Sequence, residues 1–359
     1  MRRVVIGAML LAFTMGHAGA QEAVDMGVHS FYYSWYRNLE TDGAWSHWNH
    51  HIILQNGVGD SFEPPDDIGA NFYPGHGLYS SMSPDDVDTH MKDHVQAGVG
   101  VVSVTWWGVD HPTNESLPVV FDAAERHGLK VNFHVEPFQG RNAATTREAI
   151  EYLLEAYGDH PALYRYEGRP MIYLYDSYLT PAEDWARLLQ PDGEITIRNT
   201  PHDCVVLGLW VGENDGEFMV EGGFDGFYTY FATDGFTYGS TVANWPTIAA
   251  FADEHELIYV PSVGPGYDDT RIRPWNAVNQ RDREDGAYYD RMFEAAIALD
   301  PPIISITSYN EWHEGTQIAP AVPKSIPGYA YEDYGDLEPD WYLDRTRYWI
   351  EQWRGSDQE

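Results

Sequence analysis

The sequence predicts an α/β protein, a single (β/α)8 barrel with long βα loops forming a cleft. Three observations predict it. Eight short apolar, β-rich runs alternate with helical patterns along the chain. Run after run turns abruptly polar or aromatic at its end, at Trp107, Glu136, Asp176, Tyr230 and Glu311. No G-x-G-x-x-G follows the first run, so a doubly wound sheet lacks its glycine fingerprint. In a barrel such strand ends converge on one mouth, where barrel enzymes place their chemistry.

The first strand is expected over 29–36, HSFYYSWY. A long loop follows, to about Ser83, carrying Trp45, His47, Trp48, His50, His51, Tyr73 and Tyr79. Loops of that length in a compact domain are functional or disordered. The aromatic content argues against disorder. Ser83-Pro84-Asp85-Asp86 reads as a helix start, with a capping serine, a proline in the first turn and then acids. Gly98 ends that helix. The pattern then gives a strand over 100–106, a helix over 118–127, a strand over 130–136 and a helix over 145–157. A strand over 170–176, a helix over 181–189 and a strand over 204–211 follow. The sixth strand is expected over 226–231. A helix over 245–255 leads to the seventh, over 257–263. A second long loop, 264–283, carries Tyr267, Arg271, Arg273 and Trp275. A helix over 284–299 precedes the eighth strand, 303–307, and an amphipathic helix over 338–353 closes the chain.

Composition narrows the function classes. The first twenty residues have a basic start at Arg2-Arg3, an apolar stretch and a small-x-small end at Ala18-Gly19-Ala20. They read as a signal peptide, leaving residues 21–359 as one barrel domain. The apolar stretch is too short to span a bilayer. The chain has one cysteine, Cys204, so no internal disulfide is expected. A eukaryotic secreted enzyme of this size would carry several, which favours bacterial export to the periplasm or medium. The net charge of −35 repels nucleic acid and anionic membranes and suits a neutral substrate. The 13 Trp and 25 Tyr suit a large aromatic core, but many lie in Gly/Pro/Asp-rich segments, where a core explanation is weaker. Their faces stack on sugar rings while their polar tips bond hydroxyls.

The chemistry concentrates in residues 302–317, PIISITSYNEWHEGTQ. A buried strand there runs into Glu311, Trp312, His313 and Glu314. Two carboxylates three residues apart can face one pocket, as glycoside cleavage requires. Mutual repulsion would raise one pKa and keep that group protonated. The plain alternative is a solvated pair in a helix's first turn. His134 and Glu136 alternate along a strand and so point to one side. They suit sugar hydroxyls better than a metal. His313-Glu314 lacks the second histidine of H-E-x-x-H. Neither a G-x-S-x-G elbow nor a P-loop is present. No cofactor and no metal are expected.

Several motifs occur in order along the chain. They are Phe31 to Tyr36, Asp42-Gly43 with His47 to His50, Pro64 to Ile68, Asn71 to Pro74 and Ser103 to Gly108. His134 to Pro137, Tyr173 to Ser177, Gly223 to Gly239 and Ser308 to Gln317 complete them. On these the chain resembles glycoside hydrolase family 99. That resemblance implies a metal-free retaining endo-α-1,2-mannosidase or mannanase acting on mannose-rich glycans. It implies that Glu311 deprotonates the sugar's own 2-hydroxyl, giving a 1,2-anhydro sugar. It implies that Glu314 serves first as acid on the leaving oxygen and then as base for water. Thr105-Trp106-Trp107 resembles the form found in bacterial mannanases, whereas enzymes trimming glucosylated N-glycans resemble S-W-Y. Yeast-type α-mannan is therefore the expected substrate. Ala319 departs from the family pattern, which has a Glu after Gln317-Ile318. The residues expected to bind substrate are Tyr33, Trp48, Trp107, His134, Glu136, Tyr175, Asp176, Tyr230, Trp275 and His313. The protein is expected to act as a monomer. Its rivals are an endo-α-mannosidase on glucosylated N-glycans, a metal-dependent hydrolase and a non-catalytic glycan-binding barrel.

Overall fold

The computed structural model of the protein describes residues 23–356. The signal peptide expected over 1–20 lies outside the described residues. The parallel sheet consists of β1 (Asp25–Tyr32), β2 (Val99–Trp106), β3 (Lys130–Val135), β4 (Arg169–Leu174), β5 (Val205–Leu209) and β6 (Gly226–Tyr228). It is completed by β7, in two pieces at Ile258–Val260 and Ser262–Val263, and by β8 (Ile304–Ile306). Each strand pairs in parallel with the next, and β8 pairs with β1 through Val28↔Ile304 to Ser30↔Ile306. The ring closes through β7. Its first piece pairs with β6 and its second with β8. Pro261 sits between them, has no N–H to donate, and gives its carbonyl to Ser305 N at 3.0 Å.

The crossover helices are α1 (Pro84–Ala97), α2 (Pro112–Arg126), α3 (Ala143–Tyr157), α4 (Ala182–Leu189), α5 (Asp215–Gly222), α6 (Trp245–Glu254) and α7 (Ala287–Ile297), with α8 (Trp341–Ser356) at the end. α1 forms as its sequence dictates. The Ser83 side chain accepts from Asp86 N, Pro84 stands in the first turn, and Gly98 ends the helix at φ 77°. α2 starts six residues before the expected Pro118, because the His111 side chain caps Thr113 N and a second proline, Pro112, stands in the first turn. Pro118 lies inside the helix. α5 had no expected counterpart. It is short, contains glycine at both ends and lacks a side-chain cap. β1 ends at Tyr32 rather than Tyr36, since the Tyr33 N–H leaves the ladder for Asn310 Oδ1 at 2.7 Å.

The alternation along β1 shows what each face does. Ser30 and Tyr32 point outward and bond His94 and His90 of α1 at 2.8 and 2.9 Å. Phe31 points inward, its ring 4.6 to 5.6 Å from those of His134, Tyr173, Tyr228 and Tyr230. The barrel interior is thus filled with aromatic and polar side chains rather than the branched aliphatics usual for this fold. Several of those polar groups are paired: His29 Nδ1 with Tyr173 OH at 2.7 Å, His134 Nε2 with Tyr228 OH at 2.8 Å, and Ser262 Oγ with Ser305 Oγ at 2.8 Å. Such pairing offsets the cost of burying polar groups. Cys204 is buried just before β5 and packs as a small apolar residue. Among the described residues no helix is long and apolar enough to cross a membrane.

Candidate active site

The C-terminal ends of the strands meet at one mouth, and the segment after β8 forms its floor. That segment is tightly held. Ser308 N donates to Thr316 O at 2.8 Å and Ile318 N to Ser308 O at 2.9 Å, which closes it into a compact loop. Glu311 N donates to Ser308 Oγ at 2.7 Å. Asn310 is clamped by Tyr33, its Oδ1 accepting from Tyr33 N and its Nδ2 donating to Tyr33 O at 2.9 Å. Asn310 Nδ2 and Trp312 Nε1 both donate to Tyr79 OH. Gly315 takes φ 62°, and a side chain there would meet Asp268 O at 2.8 Å, so the position requires glycine.

This loop presents the two carboxylates differently. Glu311 is 4% exposed, and its buried Oε2 has no protein partner. Burial, and then the charge of Glu314, push its pKa well above the ordinary carboxyl range. Glu314 is more open. Burial raises its pKa too, but the Arg273 guanidinium opposes the rise, with Nη1 3.4 Å from Glu314 Oε1. Arg273 is itself held by Asp269 Oδ2 at 3.0 Å, and Tyr267 OH and Asn276 Nδ2 donate to the same oxygen. The long loop before α7 therefore supplies the counter-charge. Arg273 was visible in the sequence as a scarce cation in that loop, but nothing in its spacing tied it to Glu314.

The other expected residues divide into three groups. His134 and Glu136 face the same side, as strand alternation requires, with His134 Nδ1 3.0 Å from Glu136 Oε1. Tyr228 OH bonds the far nitrogen of His134, and the Glu136 carboxylate lies beside the near one. Glu136 is 2% exposed and adds a third acid whose charge reaches both Glu311 and Glu314. Tyr33 and Tyr230 bond each other through their hydroxyls, and Tyr230 holds φ 51°. Tyr175 stacks edge-on against Tyr230 at 4.7 Å. Asp176 stands half-buried at φ 48° in the left-handed region, its carbonyl bonded by Arg141 at 2.6 Å. Trp107 is a half-buried indole whose Nε1 has no partner, 6.4 Å from Trp35. These residues share the mouth with the pair. A cavity of about 230 Å³ beside Glu314 opens between Tyr230, Phe231, Phe236, Tyr267 and Arg273.

Three residues have other surroundings. Trp48 is fully buried, packed on Tyr36 at 4.2 Å with Nε1 bonded to Tyr79 O, so it supports the wall from behind. Trp275 is 45% exposed on the outer rim and donates to Ile53 O of the 51–61 hairpin. His313 donates from Nδ1 to Gly69 O at 2.7 Å, and burial lowers its pKa to about 3, so it is a neutral imidazole. Its unpartnered Nε2 belongs to a ring cluster with His47, His50 and Trp35. Trp35 and His47 stack at 4.4 Å and were not singled out in advance as binding residues. Ala319 is buried, its N–H on Tyr309 O and its carbonyl on Tyr334 OH. Among the described residues no group of three or more His, Cys, Asp or Glu is arranged to hold a metal.

Carboxylates of raised pKa on a floor walled by tyrosine and tryptophan, at the C-terminal face of a (β/α)8 barrel, define a glycoside hydrolase. Comparison with known proteins makes this particular. The model of Glycosyl hydrolase family 99 matches residues 23–355, and the chain belongs to that family. It is 47% identical over 344 residues to a glycoprotein endo-alpha-1,2-mannosidase of Xenopus laevis, covering 91% of this chain and 77% of that one. The corresponding figures for the Rattus norvegicus enzyme are 44%, 91% and 74%. The solved structure of the GH99 endo-alpha-mannosidase from Bacteroides thetaiotaomicron superposes with a TM-score of 0.91 at 48% identity, covering 93% of this chain and 99% of that one.

Proposed function

We propose that the protein is a retaining endo-α-1,2-mannosidase that cleaves yeast-type α-mannan through a 1,2-anhydro sugar, with Glu311 and Glu314 as the reacting pair. The observation that carries this is the asymmetry of the pair. One carboxyl is buried with a free oxygen; the other is open and balanced by Arg273. In the first step Glu311, as carboxylate, takes the proton of the 2-hydroxyl. The 2-oxygen attacks its own C1, the bond from C1 to the leaving oxygen breaks, and Glu314 gives that oxygen a proton. In the second step Glu314 takes a proton from water, whose oxygen attacks C1. The bond from C1 to the 2-oxygen opens, and Glu311 returns the proton. Two inversions give net retention.

The electrostatics suit these tasks. A raised pKa makes Glu311 a stronger base toward a weakly acidic hydroxyl. Glu314 must hold a proton and then release it. Burial favours the first state and Arg273 the second. Glu136, buried beside His134, supplies an acceptor for a sugar hydroxyl. The names of the relatives support an α-1,2-mannosidic linkage. The choice of mannan over glucosylated N-glycans rests on Trp107, which offers a broad apolar face and no acceptor.

Incubation with yeast α-mannan and with a glucosylated N-glycan tests the substrate. Mannosyl products from the first should dominate, released with the α configuration; inverted product would exclude the scheme. Trp107→Tyr should shift kcat/KM from mannosyl-mannose toward glucosyl-mannose substrates by about ten- to hundredfold, the scale of a single contact. An unchanged ratio would make Trp107 a packing residue.

A further inference from the structure

We propose that Arg283, which lies outside the cleft, is a positioning residue that sets the geometry of the loop carrying Glu311 and Glu314. Its Nη2 donates to both Gly315 O and Gln317 O at 2.8 Å each. One nitrogen thus ties the two ends of the turn that follows Glu314. The guanidinium sits among three aromatic rings, 4.7 Å from Phe72, 4.8 Å from Tyr334 and 4.7 Å from Tyr342. Its Nε and Nη1 are buried without a hydrogen-bond acceptor, and the ring faces take that place. Tyr334 also donates to Ala319 O at 2.7 Å, so the cage holds the outgoing strand of the same loop. Tyr342 belongs to α8, which makes the last helix part of the support.

A lysine cannot reproduce this arrangement. Its ammonium is a single point, without a planar face to stack between rings. The cage also opens to solvent. Arg283, Phe72, Gly315, Tyr334 and Tyr342 all border a cavity of about 500 Å³ behind the loop. Removing the side chain would leave a ring-lined hole, reachable from outside, shaped for a guanidinium ion.

The proposal rests on Glu311 and Glu314 being the reacting pair, and Glu311→Gln is run alongside to keep the two questions apart. If Glu311→Gln retains turnover, the pair is misassigned whatever Arg283 does. Given an inactive Glu311→Gln, Arg283→Ala should lower kcat by about 10- to 100-fold with KM little changed, the scale of an ångström-level misplacement. Guanidinium chloride at non-denaturing concentration should restore kcat saturably in Arg283→Ala, while sodium chloride and urea should not. A folded Arg283→Ala with wild-type kcat, or a loss that guanidinium leaves untouched, overturns the proposal. Should Arg283→Ala fail to fold, Arg283→Lys decides. A folded lysine variant with reduced kcat and unchanged KM supports positioning by the planar fork; wild-type kcat refutes it.

Discussion

Glu311→Gln loses kcat/KM on every substrate, whereas Glu314→Gln loses it mainly where the leaving group is a sugar. This contrast is the expected result of the two roles. Loss of general acid or base function costs about 10²- to 10⁴-fold. An aryl mannoside with an activated leaving group needs no proton on departure, so its first step survives without Glu314. No leaving group relieves the need to deprotonate the 2-hydroxyl. Comparing kcat/KM, which reports the steps up to departure of the leaving group, on a mannan fragment and on a dinitrophenyl glycoside checks both. Near-wild-type rates for Glu311→Gln on either would remove it from the chemistry. The same variant has a second signature. Because the folded pKa of Glu311 is raised, its contribution to stability is complete below pH 4.5 and is lost as pH rises toward the folded value. Glutamine cannot ionise, so Glu311→Gln should melt higher than wild type at pH 7. Active sites commonly trade stability for function in this way.

Acid should unfold the protein through its buried histidines. Burial lowers His29 to about 3, His94 to about 4 and His313 to about 3, and holds His47 and His90 well below 6.5. Above pH 6.5 each is neutral whether folded or not, and the folded state loses nothing. Below pH 6.5 the unfolded chain takes up protons that the native state refuses. Each site then costs about 1.4 kcal/mol per pH unit until the folded pKa is reached. Glu311, Glu314 and Glu332, the last raised by burial to about 8, act in the opposite direction. His50 and His111 are lowered as well, while Asp176 and the Asp93-bonded His76 are raised; seven lowered histidines against five raised groups leave a net loss, so Tm should fall between pH 7 and pH 5. Imidazole NMR checks the cause directly. A midpoint near 6.5 for His29, His94 or His313 in the folded protein would contradict it.

The barrel was legible because strand and helix periods alternate eight times, and because Ser83, Pro84 and Gly98 are local signals with local consequences. Boundaries failed where tertiary partners decide. Tyr33 looks like more strand until Asn310, 277 residues away, takes its N–H. α5 was unreadable for the opposite reason, since its glycines give no propensity and no cap marks its start. Glu311, Glu314, His134 and Glu136 were legible as candidates because strand ends and alternation place them at the mouth. Nothing in the sequence separates Trp48 from a cleft tryptophan such as Trp107, and its full burial is set by the fold of the loop that carries it. Arg273 and Arg283 were missed as partners of the loop, because a long loop's return path is written in no periodicity.

The loop bearing Glu311 and Glu314 is clamped by residues from both halves of the chain: Tyr33, Tyr36, Gly69 and Tyr79 from the beginning, Arg283 and Tyr334 near the end. During synthesis β1 emerges first, yet one of its edges waits for β8, some 275 residues later in the chain. Contacts so distant in sequence form late, after most of the loop-closure entropy has been spent. Every truncated intermediate therefore carries an open sheet edge and no floor to its cleft. A fragment lacking either end of the chain lacks part of the clamp on the Glu311–Glu314 loop.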